Sequence, residues 1–324
     1  MSRISESIKS LSFSLREKLM KVRFQEGWVA VNFHGDALSV AHVRRRPGHK
    51  PEVLMLRSEP SPSGLQPGLR GLTREFGLNQ CRCNQLLNVG EYQFLQVELP
   101  SVSPEELKDA ARWHVKDMVS YEVESMTMDV LEVPVLAGRT GRGHQGFVVA
   151  ADDGLIAEQM AAFNSADAML EAIDIPEMAL RNVAALFEEP ERGLAMLAFD
   201  EERITLIFTF HGELYAVRQI EIPRSKLEQS EGEWRRQMFD RIGLETQRSL
   251  DNFERLHSHI SVSRLLLSPL PTVPGLMDYM REYISLPVAE VDLAEVLDIS
   301  LVPELAQPGR QATCLKLLGA ALRD

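Results

Sequence analysis

The chain has 324 residues, of which 44% are hydrophobic, enough for one large domain or two ordinary ones. Its formal net charge of −12 excludes a general nucleic-acid binder. Three cysteines imply no disulfide framework, and no apolar run is long enough to span a membrane or act as a secretory signal, so the composition predicts a soluble, cytoplasmic protein.

Residues 1–24 differ from the rest in charge. Six lysines and arginines against two glutamates give this segment +4, which leaves −16 on the remainder. Its aliphatic residues recur at spacings of three and four, as on one face of a helix: Ile4, Ile8, Leu11, Leu15, Leu19 and Val22. Such a basic amphipathic helix suits an anionic membrane surface or a partner protein. Packing on its own domain and disorder are the alternatives left open.

The segment that follows is predicted to begin with strands. Alternating apolar residues and a glycine turn favour a hairpin, and a glycine ends the first helix. The predicted elements are two strands within 28–43, a strand at 53–56, a helix at 69–76 and a strand at 86–89.

A compact strand–helix–strand–strand–helix unit is predicted next. Its first helix has a clear start, with Ser103 as N-cap, Pro104 at the first helical position and Glu106 three residues after the cap. The predicted elements are a strand at 93–99, a helix at 104–119, strands at 127–135 and 146–151, and a helix at 153–170.

The remaining chain mixes a β-meander with later strand–helix units, which predicts a two-lobed α/β protein. The predicted elements are a helix at 174–187, strands within 193–222, helices at 224–240 and 241–257, a strand at 262–268, a helix at 274–284, a strand at 287–291 and a final helix at 310–322.

Several short segments, in this order and spacing, resemble the PilM family of type IV pilus assembly proteins. They are Leu99-Pro100 with Glu105-Glu106-Leu107 and Trp113, then Ile173-Asp174-Ile175-Pro176, and the segments 247–251, 262–268 and 274–276. The similarity covers nearly everything after residue 27 and is greatest to the MshI branch, which serves mannose-sensitive haemagglutinin (MSHA) pili. It implies the two-lobed actin-like ATPase fold shared with FtsA, with an inserted small strand–helix–strand–strand–helix subdomain.

The resemblance also implies domain boundaries. Residues 1–24 form the basic N-terminal helix, and the first lobe comprises 25–92 with 168–192. The inserted subdomain is 93–167. The second lobe is 193–324, and its last helix is allowed to return to the first lobe.

The family's nucleotide-binding positions are altered in this chain. In the first phosphate hairpin an asparagine replaces the metal-organising aspartate, a histidine replaces a glycine and a serine replaces a lysine. In the second hairpin an alanine replaces the aspartate, and carboxylates follow where a phosphate would sit. Prolines replace the adenosine-side glycine run. The residues concerned are Asn32, His34, Ser39, Ala198, Asp200, Glu201, Pro269 and Pro271.

These replacements oppose nucleotide binding. A triphosphate needs amides, cations or a metal at its oxygens, carboxylates repel it, and proline has no amide to donate. Each lost contact costs on the order of 1–3 kcal/mol. We therefore expect a pseudo-ATPase with no catalytic residue and no ATP, Mg²⁺ or other metal. The alternative is a one-residue shift in a hairpin alignment, which would make Asp36 or Asp200 a metal-organising carboxylate.

The resemblance implies a non-enzymatic scaffold of a pilus assembly platform, peripheral on the inner membrane. Members of the family hold the short cytosolic N-terminal tail of a PilN-like single-pass protein in a groove beside the small subdomain, which corresponds to capture of an extended peptide. In this chain the expected groove walls are 93–99, 104–119 and the adjoining first lobe. Leu107, Trp113 and Met118 are either partner contacts or core residues. No nucleic-acid partner is expected, and a homodimer is allowed.

Three other functions remain open at this point. One is an actin-superfamily ATPase or kinase that switches a partner on nucleotide binding. Another is a polymer-forming protein like FtsA. The third is a type II secretion platform component like GspL.

Overall fold

The computed structural model describes residues 25–134 and 144–323. In chain order the described strands are β1 (Trp28–His34), β2 (Ala37–Arg44), β3 (Glu52–Pro60), β4 (Arg82–Leu86), β5 (Gln93–Leu99), β6 (Met126–Glu132), β7 (His144–Asp152), β8 (Leu170–Asp174), β9 (Gly193–Phe199), β10 (Ile204–Phe210), β11 (Glu213–Ile220), β12 (Val262–Leu267) and β13 (Val288–Glu290). The described α-helices are α1 (Leu65–Phe76), α2 (Pro104–His114), α3 (Asp153–Ser165), α4 (Pro176–Ala184), α5 (Arg224–Gln229), α6 (Gly232–Leu256), α7 (Leu276–Tyr283) and α8 (Pro308–Ala321).

The first five-stranded sheet has the strand order β3-β2-β1-β4-β8. β1 pairs antiparallel with β2 and parallel with β4, and β4 pairs parallel with β8. Side chains alternate between the faces of β1, as the strand period requires. Val29 and Val31 pack in a cluster that contains residues of α1 and α3, whereas Ala30 faces the centre of the molecule.

The second five-stranded sheet has the strand order β11-β10-β9-β12-β13. All residues of β9 and β10 are buried, which explains their almost uninterrupted apolar sequences. α6 covers part of this sheet, where the rings of Phe208 and Phe253 stack with centroids 4.5 Å apart.

Helices α4 and α8 form a layer between the two sheets. α8 packs on α4 and against β1 and β2, while α4 also contacts β9 and β10. Asn182 Nδ2 donates a hydrogen bond to the carbonyl oxygen of Gly319 over 2.9 Å. Arg45 donates to the carbonyl oxygen of Leu322 over 2.6 Å. The last helix of the chain is therefore fixed to the first sheet, although it follows the second in sequence.

The small three-stranded sheet is antiparallel with the order β5-β7-β6. α2 packs on β6 and covers a cluster that includes Val97, Leu99 and Ala111. On the main core's side, Phe94 stacks on the buried Phe147 with ring centroids 5.0 Å apart. This contact fixes the small sheet against the body of the protein.

Several predicted elements differ from the structure. The strand predicted at 86–89 lies earlier, as β4, where it pairs with β1. The helix predicted at 153–170 ends at Ser165, because Asp167 takes a left-handed φ of 55° that a helix cannot continue through. The following strand β8 was missed; it is short and carries Glu171, so its own sequence is a weak strand signal.

Two helix boundaries are also wrong. The break predicted at 240–241 does not exist, since α6 runs unbroken for 25 residues and the interruption lies at 230–231. α2 ends at His114 rather than at 119, because a turn follows in which Met118 N donates to Val115 O over 2.8 Å.

The predicted amphipathic helix at 1–24, with Ile4, Ile8, Leu11, Leu15 and Leu19, lies outside the described residues. Among the helices that the structure describes, none combines the length and the apolarity needed to cross a bilayer.

Candidate functional site

A cleft separates the two lobes where the β1–β2 and β9–β10 turns face each other. It encloses a cavity of about 390 Å³. Five of the residues predicted for a nucleotide cleft line it together: Asn32, His34, Ser39, Asp200 and Glu201. The structure therefore brings residues of the two hairpins together, although they lie more than 160 positions apart in the sequence.

The first hairpin uses its polar groups inside the first lobe. Asn32 Nδ2 donates to the Leu86 carbonyl oxygen over 2.9 Å and to Asn88 Oδ1 over 3.0 Å. Ser39 Oγ and Ser58 Oγ are hydrogen-bonded at 2.8 Å. These contacts tie β1 to the end of β4 and β2 to β3. Both hydrogens of Asn32 Nδ2 are therefore engaged within the first lobe.

The second hairpin approaches the first at the mouth of the cleft. His34 Nε2 lies 3.7 Å from Glu201 Oε2, and both side chains are mostly exposed. An exposed pair of this kind contributes little to stability. Deeper in the turn, Asp200 N donates to Arg203 O over 2.9 Å, so this amide is already engaged within the turn.

Lys316 of α8 is the residue that sequence reasoning missed. Its ammonium contacts the Asp200 carboxylate, and its side chain is largely buried. Burial lowers the pKa of Lys316 from its ordinary 10.5 to about 8, and the Glu177 carboxylate opposes this shift. A signal for it was present, because Lys316 stands alone among apolar residues in the stretch 314–318.

The cleft is not purely acidic, which corrects a premise of the sequence argument. Three carboxylates line it, on Asp200, Glu201 and Glu202, together with four cationic side chains. The cationic residues are Arg57, Arg224, Arg310 and Lys316. None of these cations belongs to the hairpin segments that were compared with the family pattern, so the hairpin sequences alone gave the wrong charge balance.

Three predicted cleft residues do not line the cavity: Ala198, Pro269 and Pro271. Ala198 is buried within β9. The segment with Pro269 and Pro271 turns into the second lobe instead, because its neighbours Leu270 and Val273 are buried in the core of that lobe. Val273 N closes this turn by donating to Leu270 O over 3.1 Å.

A buried polar cluster lies beside the cleft around Glu177 of α4. Its carboxylate accepts hydrogen bonds from Tyr92 Oη at 2.6 Å and from Gln219 Nε2 at 3.1 Å, and Arg203 Nη2 lies 3.4 Å away. Burial raises the pKa of Tyr92 well above its ordinary value, and the Glu177 charge raises it further. The cluster joins the start of β5, α4, β10 and β11.

The three residues predicted at a partner surface fall into two groups. Leu107 is only 8% exposed and belongs to the core under α2, so it is not a surface contact. Trp113 is 61% exposed and Met118 is 52% exposed. Both side chains have a large apolar area that a partner could bury. Trp113 and Met118 therefore remain candidates for partner contacts.

Metal binding was not expected from the sequence. Across 25–134 and 144–323, no group of three or more histidine, cysteine, aspartate or glutamate side chains is arranged to hold an ion.

Comparisons with known proteins bear on the fold. Neither models of protein families nor curated proteins give a match. A solved structure described as a PilM-PilN type IV pilus biogenesis complex is similar over 93% of this chain and 98% of that chain, with a TM-score of 0.70 and 20% identity.

Two further structures are more distant. A Bacteroides thetaiotaomicron protein with an actin-like ATPase fold and unknown function has a TM-score of 0.48 and 12% identity over 88% of this chain and 97% of that chain. The cytoplasmic domain of EpsL, an inner membrane component of the Vibrio cholerae type II secretion system, has a TM-score of 0.41 and 12% identity over 63% and 74%. The predicted two-lobed α/β actin-like fold is confirmed, and the resemblance to PilM is confirmed for the fold.

Proposed function

We propose that this chain is a non-enzymatic scaffold of a type IV pilus assembly platform, of the MSHA type, and that it holds the cytosolic tail of a PilN-like single-pass protein. The observation that carries the proposal is the fold match to the PilM-PilN structure over nearly the whole of both chains. A type II secretion platform is the neighbouring alternative.

The chemistry of the cleft supports a role without nucleotide hydrolysis. Carboxylates of Asp200 and Glu201 face the cavity, and the Asp200 amide is engaged in its own turn. The buried cation nearest to them, Lys316, is already paired with Asp200. A polyphosphate entering the cleft would have to break this pair and accept close carboxylates.

The small sheet supplies a surface suited to an extended peptide. Within the described residues β5 pairs only with β7, so its outer edge presents backbone donors and acceptors. Gln93 accepts from Ser120 N over 2.7 Å and donates to Ser120 Oγ over 2.9 Å. These bonds hold the segment that contains Met118 beside β5. Strand edge, exposed methionine and the end of α2 together form the proposed groove.

Trp113→Ala is expected to weaken binding of the partner's tail at least tenfold. A central tryptophan at an interface commonly contributes about 2 kcal/mol or more, and tenfold corresponds to about 1.4 kcal/mol. The affinity is measured by fluorescence anisotropy with a labelled peptide of the partner's cytosolic N-terminal residues.

Trp234→Ala is the matched control for this measurement. Trp234 is 70% exposed on α6 of the second lobe, away from the small sheet. Its replacement should leave the affinity unchanged. Equal losses in both variants, or no loss in Trp113→Ala, would show that the peptide binds elsewhere.

Attachment to the inner membrane belongs to the same proposal. The basic residues and the aliphatic stripe of 1–24 suit an anionic bilayer surface, and they place the scaffold next to the membrane-anchored partner. A homodimer is compatible with this arrangement.

A nucleotide-binding switch is the second candidate function. The observation in its favour is the set of four cationic side chains around the cleft. Three of them already have carboxylate partners. Lys316 contacts Asp200, Arg57 Nη1 lies 2.9 Å from Glu75 Oε1, and Arg224 Nε lies 2.7 Å from Glu228 Oε1. The switch requires that Mg-ATP bind here in spite of these pairs.

A further inference from the structure

The turn 200–203 of the second lobe makes three charged contacts, one with β1 of the first sheet and two with the helices of the layer between the sheets. Asp200 contacts Lys316 of α8, Glu201 lies 3.7 Å from His34 of β1, and Arg203 lies 3.4 Å from Glu177 of α4. This one short turn therefore contacts the other side of the cleft at three places. We call this set of contacts the interlobe clasp.

The first-lobe side of the clasp is rigidly held. α8 and α4 touch so closely that a Cβ on Gly319 would lie 2.1 Å from the backbone oxygen of Ala179. Tyr92 Oη, at 2.6 Å, fixes the Glu177 carboxylate. Because Lys316 and Glu177 sit on these two packed helices, their charges have fixed positions relative to each other. The second lobe must therefore contact the Lys316 ammonium and the Glu177 carboxylate at the same time.

The charges on the turn are opposite in sign to the charges that they contact on the helices. The turn presents a carboxylate at Asp200 and a guanidinium at Arg203, and the helices present an ammonium at Lys316 and a carboxylate at Glu177. Placing Glu202 where Arg203 lies would bring two carboxylates together at Glu177, which costs free energy in a buried setting. The clasp thus disfavours this displacement of the second lobe.

We propose that the interlobe clasp fixes the relative position of the two lobes without any bound ligand, through the chain's own Lys316, Asp200, Arg203 and Glu177. Buried ion pairs contribute weakly to net stability, because desolvation offsets their attraction, but they are well suited to selecting one geometry. The clasp accordingly sets the distance between the lobes.

Distances between two spin labels, measured by double electron–electron resonance, test this proposal. Labels are attached to Arg74→Cys on α1 and Gln237→Cys on α6, two exposed positions in different lobes. The three native cysteines are buried, so they do not compete for the label. In the otherwise unchanged protein without nucleotide, a single narrow distance distribution is expected.

Asp200→Asn and Lys316→Met each remove one side of the central pair, and they are introduced separately. Each should broaden the distribution and add a longer-distance component, while thermal unfolding remains cooperative. Arg218→Gln is the control, because Arg218 pairs with Glu245 at 2.9 Å within the second lobe. An unchanged distribution in both test variants overturns the proposal. Equal broadening in the control overturns it as well. Since the readout is distance, its failure leaves the scaffold function to be judged separately by peptide binding.

Discussion

Gly319→Ala is expected to lower the free energy of unfolding by about 3 kcal/mol. The added Cβ would lie 2.1 Å from the Ala179 carbonyl oxygen and 2.7 Å from its carbonyl carbon. Both atoms are backbone, so no side chain can rotate away, and the helices α4 and α8 must separate. Overpacking of a well-packed interior costs roughly 1–3 kcal/mol, and a rigid backbone contact belongs at the upper end. Chemical denaturation measures the change.

Gly71→Ala is the matched control, since it makes the same chemical change in another helix. A Cβ on Gly71 of α1 meets nothing within 4 Å. Alanine is better than glycine in a helix interior by about 1 kcal/mol, so this variant should be slightly more stable than the wild type. If Gly319→Ala also proved neutral or stabilising, the close packing of α8 on α4 would be wrong, and with it the position of Lys316 in the cleft.

The second large effect concerns pH. The stability of the wild type relative to Lys316→Met should rise, by at most about 3 kcal/mol, as pH increases from about 8 to 10.5, because the Asp200 and Glu177 carboxylates oppose the effect of burial on the lysine pKa. Burial lowers the pKa of Lys316 to about 8 in the folded chain, whereas the unfolded lysine keeps its ordinary value of 10.5. Between these values unfolding takes up a proton, so raising the pH favours the folded state.

Urea unfolding of both proteins at a series of pH values between 7 and 10.5 measures this difference. Tyr92 works in the opposite direction, because its raised pKa means that high pH favours unfolding. That contribution is common to both proteins and cancels in the comparison. The free energy of unfolding of the wild type could instead stay constant relative to Lys316→Met, or fall relative to it, as pH rises. Either result would mean that Lys316 is not buried in the cleft.

The sequence predicted the parts of the fold that have strong local signals. The β1–β2 hairpin and the β9–β10–β11 meander have alternating or continuous apolar residues and clear turns, and all lie where predicted. β8 was missed because a short strand with a glutamate becomes a strand only through its pairing with β4. The helix boundary at 240–241 was wrong because helical periodicity continues unbroken through α6.

The sequence predicted some residues of the candidate site and missed or misplaced others. Hairpin residues such as Asn32 and Asp200 were placed in the cleft by their resemblance to a known pattern, and they line it. Lys316 and Arg310 reach the cleft only because α8 returns to the first sheet, which no local pattern indicates. Pro269 and Pro271 were misplaced because burial of Leu270 turns the run into the second lobe.

Thermal unfolding with and without Mg-ATP tests the central claim most directly, namely that this actin-like cleft no longer binds nucleotide. A ligand present at 100 times its dissociation constant stabilises the folded state by about 2.7 kcal/mol, which is readily seen as a higher Tm. We predict no change in Tm at millimolar Mg-ATP, and an increase with the partner's tail peptide. A rise in Tm that grows with Mg-ATP concentration, and that Lys316→Met alters, would contradict the scaffold account and establish a nucleotide-binding switch.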